Sequence, residues 1–331
     1  MTSRSSVDLE RRFLIILNRP AVGLFASVLQ VSGWLHHCRT DDLTPIVFFG
    51  DNWLYWSVSG HRGARNGWEY YFEPVSPYSI ADVIGRDEAY LEHCNIFDYD
   101  SDRIVPSQNP AHVYDVSRRG HLPVPPNVTV VNRWPAYAPG VRRLDEDRRV
   151  VFHDLMAEFL RPKSAILAAV DVWFNRWMAA HEVIGVHARD AERNDEIESW
   201  HGLAGAPLGL YFREIDAWLD AHPGGHVLAA TDTMRLLEAF RRPYGARLLS
   251  YEARRSTGSR APHREFGGPV VGEEMLVEGL LLARAQFLVH GISNVAYAVL
   301  CLAPTLPHVD VYDRYARQLT RLLRRRRARR R

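Results

Sequence analysis

From residue 166 onward the chain alternates helical apolar patterns with short continuous apolar runs, and this alternation constrains the fold more than any other feature of the sequence. The runs are "VIGVHA" at 183–188, "HVLAATD" at 226–232, "ARLLSY" at 246–251 and "QFLVHG" at 286–291. A strand covered by helices on both faces is apolar on both sides, so it reads as an unbroken run. Around the runs lie the helical stretches "SAILAAVDVWFNRWMAAH", "YFREIDAWLDA", "TMRLLEAFRRPYG", "EEMLVEGLLLARA" and "SNVAYAVLCLAP". This order predicts a doubly wound α/β sheet. Gly185, inside the first run, leaves room for another backbone to approach. The segment 252–273 is rich in Arg, Gly, Ser and Pro and reads as a long loop.

The first half carries weaker signals. A helix is expected near 24–37, then a strand-like "TPIVFFG", then the aromatic loop "DNWLYWSVSGHRGARNGWEYYFEPVSP". Residues 98–147 read as loop apart from the strand-like "NVTVVN", and "RRVVFHDLMAEFLRPK" reads as a helix running to a boundary near 165. A chain of 331 residues is long enough for two domains.

Composition excludes several classes. An apolar fraction of 47% with 24% charged residues is not that of a disordered chain. Cys38, Cys94 and Cys301 form an odd set without a close pair, which argues against a disulfide framework or a CxxC zinc site and for a reducing, cytoplasmic setting. The early stretch "FLIILNRPAVGLFASVL" is broken by Asn18, Arg19 and Pro20 and makes a poor signal peptide. No stretch approaches the roughly 20 uninterrupted apolar residues of a membrane span. The last eight residues, "RRRRARRR", carry seven arginines, and removing them would turn the formal charge of +2 into −5. Such a block reads as a solvated, disordered tail, with adhesion to acidic lipid or nucleic acid as the alternative.

Three strand ends carry polar groups: His187 with Arg189, Thr231 with Asp232, and His290 leading to Ser293 and Asn294. In open α/β sheets, ligands bind at the carboxyl ends of the strands. In "HGISNV" the start of a helix offers unpaired N–H groups and a dipole to an anion; the plainer reading is that Ser293 only caps that helix. An arginine at a neighbouring strand end favours phosphate, which the planar guanidinium grips as a fork. Asp195, Glu196 and Glu198, in the loop after Arg189, are candidate bases or else solvated charges. "DYDSD" at 98–102 lacks the later ligands of a calcium loop and reads as an acidic turn. The cluster Trp53, Tyr55, Trp56, Trp68, Tyr70, Tyr71 and Phe72 is mostly core, although such rings also stack on sugars or bases.

Four stretches together resemble the GDP-fucose-dependent fucosyltransferases, in particular the α1,6-fucosyltransferases and their bacterial nodulation relatives. "VIGVHARDAER" is similar to their HxR motif, and "VLAATDTMRLLEAFRRPYGA" to their strand with a T/S-D pair. "EEMLVEGLLLARAQFLVHGISNVAYAV" resembles their final helix, strand and Ser-Asn/Gln block, and residues 51–76 their NW-x-Y and GWE-x-x-F-x-PVS pattern. The resemblance implies a GT-B fold of two facing Rossmann-like domains. Residues 1–165 would form the acceptor side, 166–320 the GDP-sugar-binding domain, and 321–331 a basic tail.

It further implies an inverting transfer of fucose, or a related sugar, from a GDP-sugar to the hydroxyl of a glycan or small-molecule acceptor, with neither cofactor nor metal. Arg189 would neutralise the diphosphate, and His187 with Glu278 would contact guanine. Asp232, Ser293 and Asn294 would complete the pocket, Tyr55 would approach from the first domain, and Glu196 would be the base by its spacing. The chain departs from the pattern at Glu278, where the family has aspartate, and at Asp190, where eukaryotic relatives have a second basic residue. Gly23 is the only glycine in what would be the glycine-rich loop. A catalytically silent nucleotide-sugar or glycan-binding protein on the same scaffold is the alternative. For the tail, a weak contact with an acidic membrane surface is expected, and no specific nucleic acid.

Overall fold

The computed structural model describes residues 11–19, 22–86, 124–135, 137, 146–190, 198, 202, 205–258 and 262–330. The chain divides into two compact units. The first comprises Met1–Pro139, Val150–Ile166 and Gly267–Glu273; the second comprises Gly140–Arg149, Leu167–Phe266 and Glu274–Arg331. The chain therefore passes between units more often than one boundary near 165 would require.

In the first unit, β1 (Phe13–Leu17), β2 (Thr44–Phe48) and β3 (Val128–Val131) form a parallel sheet in the order β2-β1-β3. β1 is buried throughout, and it is the strand that the sequence reading passed over when it weighed "FLIIL" only as part of a leader. Alternate residues of a strand share a face, and Phe13, Ile15 and Leu17 pack with Ile46, Phe48, Ile80, Val83, Val128 and Val130 in one apolar cluster. The helix Leu24–Asp41 joins β1 to β2 and stops where Asp42 turns left-handed, at φ 53°. The aromatic segment is core, as expected: Trp53, Tyr55, Trp68, Tyr70 and Tyr71 are fully buried, and rings meet edge to face, as Trp53 and Tyr55 do at 4.9 Å between centroids.

The second unit holds β4 (Val183–Ala188), β5 (His226–Thr231), β6 (Leu248–Leu249), β7 (Phe287–His290) and β8 (His308–Asp310). All pairings are parallel, in the order β6-β5-β4-β7-β8. The chain moves outward from β4 in one direction, returns, and moves outward in the other. The sheet is thus doubly wound, and its topological switch point lies between β4 and β7. Every residue of β4 is buried. At Gly185 it is side chains that crowd in, not a backbone: a Cβ there would lie 3.0 Å from Leu282 Cδ2 and 3.2 Å from Ala285 Cβ.

Two expectations need correction here. The segment 252–273 is not all loop, since it holds a short helix, Pro262–Glu265, and the start of the helix Gly268–Leu282. Pro269, which looks like a breaker, sits in the first turn, where a missing N–H costs nothing. Nor is the basic block disordered, because a helix runs over Ala316–Arg330. Leu319 and Leu323 anchor it at 0% and 7% exposure, beside the buried Tyr312 and Tyr315. An anchored helix has already met its nucleation cost, so arginine, a good helix former, extends it, and positive charge near its carboxyl end is favourable. From Arg324 to Arg329 the helix is exposed.

Leu319→Ala is expected to cost about 2–5 kcal/mol of stability. A chain ending at Leu323 should stay within about 1 kcal/mol of the full chain, because the helix it loses from Arg324 to Arg329 is exposed. Denaturant titration checks both, and a truncated chain as unstable as Leu319→Ala would contradict this division of the helix.

Candidate functional site

The polar residues that end β4, β5 and β7 meet at the carboxyl edge of the second sheet. His187, 7% exposed, places its Nε2 2.9 Å from Ser293 Oγ. Ser293 is extended (φ −161°, ψ 140°) and caps the helix Asn294–Leu302, its Oγ accepting from Val295 N at 3.2 Å. The plain capping role therefore holds, and a second role is added to it. One hydroxyl fastens the end of β4 to a helix amino terminus across the switch point. Asn294, half-buried, opens the first turn, where N–H groups without intrahelical partners and the helix dipole favour an anion.

Arg189, half-buried, is the first residue beyond β4, and its position follows from Asp190. The Asp190 backbone N–H donates to Asp232 Oδ1 at 3.0 Å. Its carboxylate accepts from Thr233 Oγ1 at 2.7 Å and from Arg235. Thr233 in turn caps the helix Met234–Tyr244 through Leu236 N. Asp190 thus locks the start of one loop onto the next. Asp232 lies at the same edge and uses one carboxylate oxygen on that backbone.

Glu278 is held by a residue that the sequence reading missed. Arg255, 6% exposed, donates from Nη2 to Glu278 Oε1, from Nη1 to Tyr251 O at 3.0 Å and Ala253 O at 2.8 Å, and from Nε to Thr231 Oγ1 at 3.3 Å. The surrounding segment is stitched to β5, because Ser256 N donates to Asp232 O and Met234 N to Ser256 O, at 3.0 and 2.9 Å. Burial pushes the Glu278 carboxyl up to about 7, against the downward pull of Arg255. The signal for Arg255 was present in "YEARRS", a basic loop directly after a strand, where functional groups gather in this class of sheet.

Other candidates are placed elsewhere. His290 turns toward β8: its Nδ1–H donates to Gly291 O, and its Nε2 meets His308 Nδ1, each at 3.0 Å. Burial lowers both histidines to about 4, so this is a neutral structural pair. Tyr55 is a correction: it is 0% exposed, its hydroxyl accepts from Leu24 N at 3.1 Å, and its ring packs in the aromatic core of the first unit. A ring so enclosed has no surface to offer a nucleotide. Glu196, Asp195 and the "DYDSD" turn lie outside the described residues. Glu198 is described, and its Oε1 lies 3.9 Å from Arg327 Nε. Among the described residues, no three His, Cys, Asp or Glu side chains are gathered to hold a metal ion, and no helix is long and apolar enough to cross a membrane.

The two parallel α/β units have the GT-B type of glycosyltransferase fold, since solved structures of that type match the chain over most of its length. NodZ α1,6-fucosyltransferase co-crystallised with GDP matches with a TM-score of 0.56 at 15% identity, covering 91% of this chain and 95% of that one. Fucosyltransferase NodZ from Bradyrhizobium matches at 0.54 and 16% identity, with 91% and 96% covered. POFUT1 in complex with GDP matches at 0.53 and 13% identity, with 91% and 99% covered. Compared by sequence, the chain matches no protein-family model and no curated protein. At these identities the likeness establishes the fold.

Asp190→Ala should lower stability by about 1–3 kcal/mol, since it strips the buried Thr233 hydroxyl of its acceptor. Asp190→Asn, which keeps an acceptor oxygen, should cost less. Equal, negligible losses in denaturant titration of the two variants would show that the clamp contributes nothing.

Proposed function

We propose that the chain is an inverting glycosyltransferase that moves fucose, or a related sugar, from a GDP-sugar to the hydroxyl of a glycan or small-molecule acceptor. The observation that carries this reading is the His187–Ser293 contact at 2.9 Å. It draws an arginine-bearing strand end and a helix amino terminus to one switch point, in a fold whose solved examples include a NodZ α1,6-fucosyltransferase soaked with GDP-fucose. In this reading Asp232, Ser293 and Asn294 line the donor pocket, and His187 and Glu278 read the guanine.

The chemistry is a direct displacement. The acceptor oxygen forms its bond to the anomeric carbon as the bond from that carbon to the β-phosphate oxygen breaks, and the hydroxyl proton passes to a carboxylate, for which Glu196 is the choice. Negative charge grows on the departing diphosphate. Arg189 and the helix amino terminus meet it without reorganising, which is the condition under which electrostatic stabilisation is most effective. No divalent cation is needed for that step. The cysteines of the sequence, an odd set without a close pair, support a reducing, cytoplasmic setting. The exposed arginines of the last helix support a weak contact with an acidic membrane surface, without insertion, since no apolar face continues beyond Leu323.

Arg189→Ala is expected to lower kcat for GDP release by at least about 100-fold with a smaller effect on donor affinity. Arg189→Lys should fall between, because it keeps the charge and loses the fork. A folded Arg189→Ala protein with near-normal kcat would remove the assigned role, and GDP binding without turnover for any acceptor would identify a silent binder. Chelation by EDTA should leave turnover unchanged; loss restored by magnesium or manganese would overturn metal independence. Binding to vesicles containing phosphatidylserine should weaken with added salt and vanish in a chain ending at Leu323, whose turnover should be retained. Salt-insensitive binding, or binding by the shortened chain, would refute the tail contact.

A further inference from the structure

We infer that Arg255 is a positioning residue for base recognition: it holds Glu278 as an oriented carboxylate, so that the Arg255–Glu278 pair, and not the glutamate alone, sets the preference for guanine. The inference rests on the donor site proposed above and concerns a residue to which that site gives no part.

The geometry is that of a side chain fixed from three directions. An arginine has five N–H donors in a rigid fork. Four of these contacts are made here, to the end of β5 at Thr231, to the backbone of the loop after β6 at Tyr251 and Ala253, and to the helix Gly268–Leu282 at Glu278. The Arg255 side chain is 3% exposed while that of Glu278 keeps 13%, so what exposure the pair retains lies on the carboxylate side. Oε1 accepts from Arg255, which leaves Oε2 to accept from a ligand. A planar fork that is itself immobilised fixes the plane of its partner, which an isolated glutamate with three rotatable bonds does not achieve.

Charge makes this matter for base choice. The Watson–Crick edge of guanine presents N1–H and N2–H donors, which an ionised carboxylate accepts. Adenine presents an acceptor at N1, which a neutral carboxylic acid would suit instead. Burial favours the neutral acid. Among the described residues, two charged groups bear on Glu278: Arg255, which opposes protonation, and Glu274 one turn back on the same helix, which promotes it. Glu274 is itself paired with Arg254, Nη1 to Oε1 at 3.2 Å, so Arg255 is the cation that acts directly on Glu278. Without Arg255, the acid that would remain at neutral pH presents a donor where guanine also presents donors.

The test is calorimetric titration of the full chain with GDP and with ADP across the neutral range, for the wild type, Arg255→Met, Arg255→Lys and Glu278→Gln. Wild-type GDP affinity should fall as pH drops through about 7. Arg255→Met should move that midpoint upward by about one pH unit or more, which weakens GDP about fivefold or more at neutral pH, narrows the margin over ADP, and is reversed at alkaline pH. In turnover, the donor KM should rise while kcat at saturating donor changes little. Glu278→Gln should bind GDP weakly with no such pH dependence. Arg255→Lys keeps the charge, so its midpoint should stay near the wild-type value while GDP weakens several-fold through loss of the fork.

A folded Arg255→Met protein with an unmoved midpoint overturns the inference, as does Glu278→Gln with unchanged GDP affinity. If Arg255→Met does not fold, normal GDP affinity in Arg255→Lys overturns it equally. Failure of the wild type to bind GDP at any pH instead removes the donor-site reading, and this inference with it.

Discussion

The burial of β4 on both faces is the constraint from which the second unit follows. All six of its residues are buried, and its neighbours β5 and β7 are both parallel to it. A strand so enclosed can be reached by a ligand only at an end. Because the chain winds outward from β4 in both directions, its carboxyl end is also the place where the connecting segments part. The crevice is a consequence of topology, and the residues just beyond Ala188 are where chemistry has to be placed.

Polar residues at the rim of an apolar sheet must find partners, since an unmet buried donor or acceptor costs about 1–3 kcal/mol. Here the partners are one another. His187 meets Ser293, Asp190 meets Thr233 and Asp232, and Arg255 meets Thr231 and Glu278. The same bonds that satisfy these groups also set the rim geometry, so stability and preorganisation are coupled at this edge. Arg189 benefits from that coupling through the anchored Asp190 beside it.

The two ends of the charge distribution are handled differently. Arg255 is inside, where burial strengthens its hold on Glu278 and its charge opposes the protonation that burial promotes there. The arginines from 324 to 329 are outside on a single helix, where water and salt screen them and only a large anionic surface would gather their effect. Residue type alone would not separate these cases.

By itself the sequence determined what local periodicity and composition control. The strands at 183–188, 226–231 and 287–290, the helices between them and the cap at Ser293 were all legible, because each depends on residues a few positions apart. Tertiary structure decided the rest. His187 and Ser293 are 106 residues apart in the chain, Asp190 and Asp232 are 42 apart, and Arg255 and Glu278 are 23 apart. No pattern in a window of the sequence couples such positions. Tyr55 stood in a matching motif, yet its burial depends on which rings and helix surround it. The arginine block became helical because a buried leucine pair upstream had already started the helix, and whether those leucines were buried is itself a tertiary fact.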